Sequence, residues 1–256
     1  MNDQNLQLKG GVIIIGSLLW QDNLNNNDEI RKEWRGKHLE LENKILAKLP
    51  IRYGRFSKSG IYTMVFSTNC ERYNRLGTGF IVPFKKNYIN NTAELISETQ
   101  AMSKAEGIGK KFVGGKDSVW ASMCILMNKN KLQQDVYRAI LTKWSERFEV
   151  DGGGKDISEY GFGKEKRSIS KKGELQIHWP KSFFPHKQSE IDEIDFLIAT
   201  STKPQHSDDD VDRYPLESEI AESVRSDSTR QYFLNNFQNT ITTFQDSNVI
   251  NLLNNH

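Results

Sequence analysis

One glutamate stands where glutamates are seldom found. Between Asn91 and Gly107 the chain reads as a helix, with Asn91 as its cap, Glu94 three residues on as in a capping box, and Gly107 as a left-handed stop. At 100° per residue, Leu95, Thr99, Met102 and Glu106 fall on one narrow stripe, flanked by Ile96 and Ala105. Glu106 is therefore expected near the centre of the buried face, in the last turn. Glutamate is rarely buried without a partner. Burial favours the neutral acid, and the negative end of the helix dipole acts in the same direction, so its pKa is expected to be raised. A carboxyl tuned toward neutrality suits general acid/base chemistry. The competing reading is structural, with Glu106 paired to an arginine of the neighbouring hairpin, Arg52 or Arg55. The residues alone leave both readings open.

A second stretch has the character of a binding loop. Gly10 and Gly11 lead into Val12, Ile13, Ile14 and Ile15, which read as a short strand buried on both faces. Gly16 permits a sharp turn, and Ser17 offers a hydroxyl and backbone N–H groups just past the strand end.

Other chemistries are less well supported by the residues. Gly109 and Gly114 have the spacing of a phosphate loop, but Gly115 stands where the lysine should follow. Gly161-Phe162-Gly163 has neither a third glycine nor a preceding strand, so a dinucleotide site is not expected. Asp208, Asp209, Asp210 and Asp212 lack the spacing and central glycine of a calcium loop and read as a solvated, mobile acidic loop. The five histidines, His38, His178, His186, His206 and His256, form no helical pair. Cys70 and Cys124 have no metal-ligand spacing, and Cys124 lies in an apolar run where a thiol is inert. Neither a metal nor an organic cofactor is expected.

These groups must be held by a chain of 256 residues, long enough for one large domain or a domain with an extension. Its 35 basic and 33 acidic residues balance to a net charge of +2, too even to point to nucleic acid. The polar start and the absence of an apolar run of roughly 18 residues exclude a signal peptide and a membrane span from the expectation. Two thiols fit a reducing cytoplasm.

The elements read as follows. An Asn-rich loop from Asp22 to Asn27 leads to Asp28 as a cap and a helix from Glu29 to Leu41, burying Ile30, Trp34 and Leu41. Residues 45–57 read as a strand interrupted by Pro50, Lys58-Ser59-Gly60 as a turn, and residues 61–67 as the return strand of a hairpin. Residues 77–84 and 119–127 read as further strands, and 107–116 as a basic loop. A helix over 132–148 carries Val136, Ile140 and Trp144 at four-residue spacing. Asp151 to Lys155 is the best boundary, dividing a domain at 1–150 from a C-terminal α+β extension at 151–256. In the extension, 174–179 alternates like a half-exposed strand and 194–199 like a buried one. Residues 215–224, 229–237 and 249–253 read as helices.

The Ile14-Ile15-Gly16-Ser17-Leu18 stretch resembles the gamma-glutamylcyclotransferase-like family. So do the hairpin carrying Arg52-Tyr53-Gly54-Arg55-Phe56-Ser57, the strand through Gly79, and the helix ending Ala105-Glu106-Gly107. The resemblance covers about residues 10–145. It implies an α+β fold, a small mixed β-barrel with flanking helices and the C-terminal extension packed on it. In that family a loop after the first strand cradles the substrate, and a glutamate near a helix end helps the substrate's own α-amine attack its γ-amide. By this resemblance Glu106 is the catalytic carboxylate, and Ile15, Gly16, Ser17, Leu18 and Arg55 bind a small-molecule or peptide amide. Ile15 stands where the family usually carries tyrosine or another aromatic. The alternative is an inactive member that binds a ligand, or a protein partner through the C-terminal extension.

Overall fold

β1 (Gly10–Ile14) is buried along its whole length and lies inside a sheet, as a β-branched run between glycines requires. The computed structural model describes residues 6–22, 26–114, 120–227 and 231–255. Residues 23–25 of the Asn-rich loop, the side chain of Asp28, residues 115–119 and Thr229 lie outside the described residues. After β1 come α1 (Asn26–His38), β2 (Ile45–Leu49), β3 (Ile51–Phe56), β4 (Tyr62–Phe66), α2 (Thr68–Arg72) and β5 (Gly77–Pro83). Next are α3 (Thr92–Ala105), β6 (Val113–Gly114), β7 (Ala121–Met127) and α4 (Gln134–Val150). Beyond the glycine turn at 151–154 follow β8 (Lys181–Ser182), α5 (Gln188–Asp192) and β9 (Phe196–Thr202). The helices α6 (Glu217–Ser226), α7 (Gln231–Gln238) and α8 (Asp246–Asn254) complete the chain.

The fold is mixed α+β. Seven strands form one mixed sheet in the order β6-β7-β9-β1-β5-β2-β8, and β3 and β4 form a separate hairpin. β1 runs antiparallel to β5 and parallel to β9. No closed barrel is found among the described residues, because the strand order ends at β6 and β8. The strand expected over 45–57 breaks at Pro50, which has no N–H to give a ladder. β2 stays in the sheet, while β3 leaves it with β4. The hairpin returns to the body through a parallel bridge between Arg55 and Gln205, just past β9. Phe56 N–H donates to Gln205 O at 2.7 Å, and Gln205 N–H to Gly54 O at 2.9 Å.

The chain beyond residue 150 both packs on the sheet and enters it, since β9 lies between β7 and β1. Residues 174–179 alternate in burial, yet they join other segments only by single bridges, Ile125 to Glu174 and Ile169 to Leu175. Among the described residues no helix is long and apolar enough to cross a membrane.

The helix that carries Glu106 forms as its sequence requires. Asn91 Oδ1 accepts from Glu94 N–H at 2.9 Å, and the Glu94 carboxylate accepts from Asn90 N–H at 2.8 Å. Leu95, Thr99 and Met102 are buried. At the other end Ile108 N–H donates to Ser103 O and Gly107 N–H to Lys104 O, with Gly107 at φ +79°. That crossed pair of bonds is the Schellman stop, which needs a left-handed residue at Gly107 and fixes Glu106 as the last residue before the turn.

Candidate active site

The turn after β1 is tied by its own backbone. Leu19 N–H donates to Gly16 O at 3.1 Å, and Gln21 N–H to Ser17 O at 2.9 Å. The N–H groups of Gly16, Ser17 and Leu18 take no acceptor among the described residues. Three backbone donors are thus left on one short loop, the start of a tight turn whose dipoles favour negative charge.

Two arginines one turn apart on α1 hold this loop. Arg35, 3% exposed, donates to Leu18 O at 2.6 Å and pairs with Asp22. Its burial lowers its pKa. Arg31 donates to Gln21 Oε1 at one end and to Ala105 O, 3.0 Å away, at the other. Arg31 therefore fastens the loop to the end of α3, beside Glu106.

These elements enclose a cavity of about 180 Å³. Ile15, Gly16, Ser17, Leu18, Arg55 and Glu106 all lie on its wall, although they come from three separate stretches of sequence. Burial pushes the Glu106 carboxyl above its ordinary pKa, and it outweighs the Arg31 charge and the Thr200 hydroxyl, which both pull the other way. A carboxyl in that setting keeps its proton to higher pH than an ordinary glutamate, the direction that suits general acid/base work. The arginine that acts on Glu106 is Arg31, not the hairpin arginines considered from the sequence. Arg52 is turned elsewhere, its guanidinium 4.1 Å from the centre of the Tyr214 ring. Arg55 does reach the cavity, but it lies over Trp120, 4.9 Å from the ring centre.

Tyr232, from α7, was not legible as a site residue. Its hydroxyl accepts from Met64 N–H at 3.2 Å, and a Cβ built on Gly16 would come within 3.0 Å of it. Glycine at position 16 is thus favoured by close approach to that hydroxyl and not by a left-handed backbone. Burial pushes the Tyr232 pKa up to about 12, so its hydroxyl stays protonated. The only sequence signal was a tyrosine beside a buried phenylalanine on an amphipathic helix, a pattern shared by many structural residues.

The cysteines offer no second centre. Both are buried, and burial pushes both thiols upward, with Cys124 donating to Ala199 O at 3.2 Å. Among the described residues no group of three or more His, Cys, Asp or Glu is placed to hold a metal. Compared with protein-family models, with curated proteins and with solved structures, the chain matches none.

Proposed function

We propose that the protein is a gamma-glutamylcyclotransferase-like enzyme, cleaving a γ-glutamyl-type amide by attack of the substrate's own α-amine. The observation that carries this reading is one cavity gathering a raised carboxyl, three open backbone N–H groups and a protonated tyrosine hydroxyl. The α-nitrogen forms a bond to the γ-carbonyl carbon while Glu106 takes its proton. The N–H groups of Gly16, Ser17 and Leu18 and the Tyr232 hydroxyl face the negative oxygen that develops. The amide C–N bond then breaks, and Glu106 returns the proton to the leaving amine. Nucleophile and electrophile belong to one molecule, so the protein supplies orientation and proton transfer. On this reading the family's barrel is represented by the sheet and the hairpin that curls back at Arg55 and Gln205.

Glu106→Gln tests the assignment, because it keeps the shape and removes the proton. Release of amine from γ-glutamyl amides is expected to fall by ~10²–10⁴-fold in kcat, the usual worth of a general acid/base. Equal rates in the two proteins would sink the role.

Ile15 favours a second reading. It puts an aliphatic side chain on the cavity wall where the family carries an aromatic. A protein that only binds would retain γ-glutamyl compounds equally well as wild type and as Glu106→Gln, with turnover in neither.

A further inference from the structure

A cavity of about 700 Å³ lies beside the end of β7 and shares no lining residue with the cavity around Glu106. Its volume falls within the ~300–1,000 Å³ common for ligand sites. It opens where a ladder stops short. On the edge of β7 turned away from β9, Met123 N–H donates to Phe112 O at 2.7 Å and Ile125 N–H to Gly173 O at 3.1 Å. Leu175 N–H in turn donates to Ile125 O at 2.8 Å, which makes a parallel bridge between Ile125 and Glu174. The next rungs of such a ladder run from Met127 N–H to Leu175 O and from Ile177 N–H to Met127 O. Neither is made. Past Gln176 the chain is drawn toward α2, where His178 N–H donates to Glu71 Oε1 at 2.9 Å.

Strand alternation turns Met127 to the same edge as Ile125, so β9 cannot satisfy its backbone. Two donors, Met127 N–H and Ile177 N–H, and two acceptors, Met127 O and Leu175 O, thus have no partner among the described residues. All three residues are buried and line the cavity. Buried backbone groups are nearly always paired, so four left open at one place mark where a partner fits.

The wall is also cationic. Arg72, Lys129, Lys164 and Lys166 line it, and none has an ion pair among the described residues. Its two carboxylates are engaged within the protein, Glu71 by His178 N–H and Glu174 by the Tyr137 hydroxyl. A phosphate backbone accepts from N–H groups but offers the open carbonyls nothing. An extended peptide brings both donors and acceptors along its main chain, and acidic side chains answer the four cations.

We propose that this cavity is a docking groove for an extended, acidic peptide segment of a partner protein, which adds to the free end of β7 at Met127 and is held by Arg72, Lys129, Lys164 and Lys166. The groove does not depend on the chemistry assigned to Glu106.

The test titrates the full chain calorimetrically with a blocked octapeptide alternating glutamate and threonine, and with the same peptide carrying glutamine for glutamate. The glutamine peptide is expected to bind ~10-fold or more weakly, the combined worth of several exposed charge pairs. Lys164 and Lys166 are exposed, so the double variant Lys164→Gln/Lys166→Gln is expected to fold as wild type does and to bind the glutamate peptide ~5-fold or more weakly. Saturating peptide is expected to slow hydrogen exchange at the Met127 and Ile177 amides ~10-fold or more, as new main-chain hydrogen bonds require. No binding of the glutamate peptide at millimolar concentration, or equal binding of the glutamine peptide, overturns the proposal. Unchanged affinity in the double variant overturns the role of the lysines, and binding without protection at Met127 and Ile177 overturns the addition to β7. A single-stranded oligothymidylate that binds as tightly as the peptide overturns the choice of a peptide.

Discussion

Asp246 gives the sharpest prediction about stability. It opens α8, is 5% exposed, and accepts from Thr243 Oγ1 at 2.6 Å. Burial pushes its pKa from 3.8 up to about 6, against the pull of its bonds to Thr243 and of the Tyr53 hydroxyl. In the unfolded chain an aspartate titrates near ~3.9. Between the two values the folded protein keeps a proton that the unfolded chain has released. The stabilisation is therefore complete below about pH 4 and is lost as pH rises toward 6. The gap of about two units corresponds to roughly 3 kcal/mol. Asp246→Asn removes the titration and keeps an oxygen for the Thr243 hydroxyl. Urea unfolding of both proteins is expected to show the stability of the variant relative to wild type climbing by roughly 3 kcal/mol from pH 4 to pH 6, then levelling. The difference between the two curves is the quantity to read, because groups such as Glu219 tilt each curve the other way. Hydrogen bonding from Arg213 holds Glu219 down to about 2, so its stabilisation is full above the ordinary carboxylate range and is lost progressively as pH falls from there toward about 2. A difference that stays flat from pH 4 to pH 7 refutes the placement of a strained carboxylate in the core.

Three further substitutions probe the parts that position the site. Gly79→Ala puts a Cβ 2.8 Å from Ile14 O and 2.8 Å from Leu49 Cδ1, and a backbone oxygen cannot step aside cheaply. A loss of ~1–3 kcal/mol is expected by denaturant unfolding, together with a lower kcat/KM, because Ile14 leads directly into the Gly16 loop. Asn91→Ala removes the oxygen that receives Glu94 N–H and is expected to cost about 1 kcal/mol of stability, read from the urea midpoint at unchanged slope. Tyr232→Phe takes away the acceptor of Met64 N–H, and ~1–3 kcal/mol of stability should go with it; a variant as stable as wild type would show that the bond contributes nothing.

Local features of this fold were readable and long-range ones were not. The position of Glu106 followed from the spacing of Leu95, Thr99 and Met102 and from its place before Gly107, since both caps and the stripe lie within one helix. The strand character of β1 and the break at Pro50 were equally local. Arg31 was passed over because nothing local marks it among the several charged residues of α1, and its reach to Ala105 depends on how α1 and α3 pack. The alternation at Glu174 to Trp179 correctly marks a one-sided burial. It carries no information about whether a partner strand is there to complete a ladder, and only single bridges form. The barrel expectation failed to find a closed ladder for a related reason: pairing order is a property of distant segments, and no residue in β1 announces β9.

That pairing has a consequence for how the chain is born. Among the described residues β9 is the strand that joins β7 to β1, so until it arrives the sheet exists as two unconnected pieces. The Lys9 N–H group that meets Asp195 waits for a carboxylate 186 residues downstream. At ~5–20 residues per second, a ribosome leaves the open flank of β1 unpaired for roughly 10–40 s and that of β7 for roughly 3–14 s. Both are apolar along their length, and bare strand edges of that kind invite pairing with other chains. Nascent chains cut short before Phe196 should therefore be the species that depend on chaperones, and the glutamate site, whose cavity wall includes Thr200 and Thr202 of β9, is among the last features to be completed.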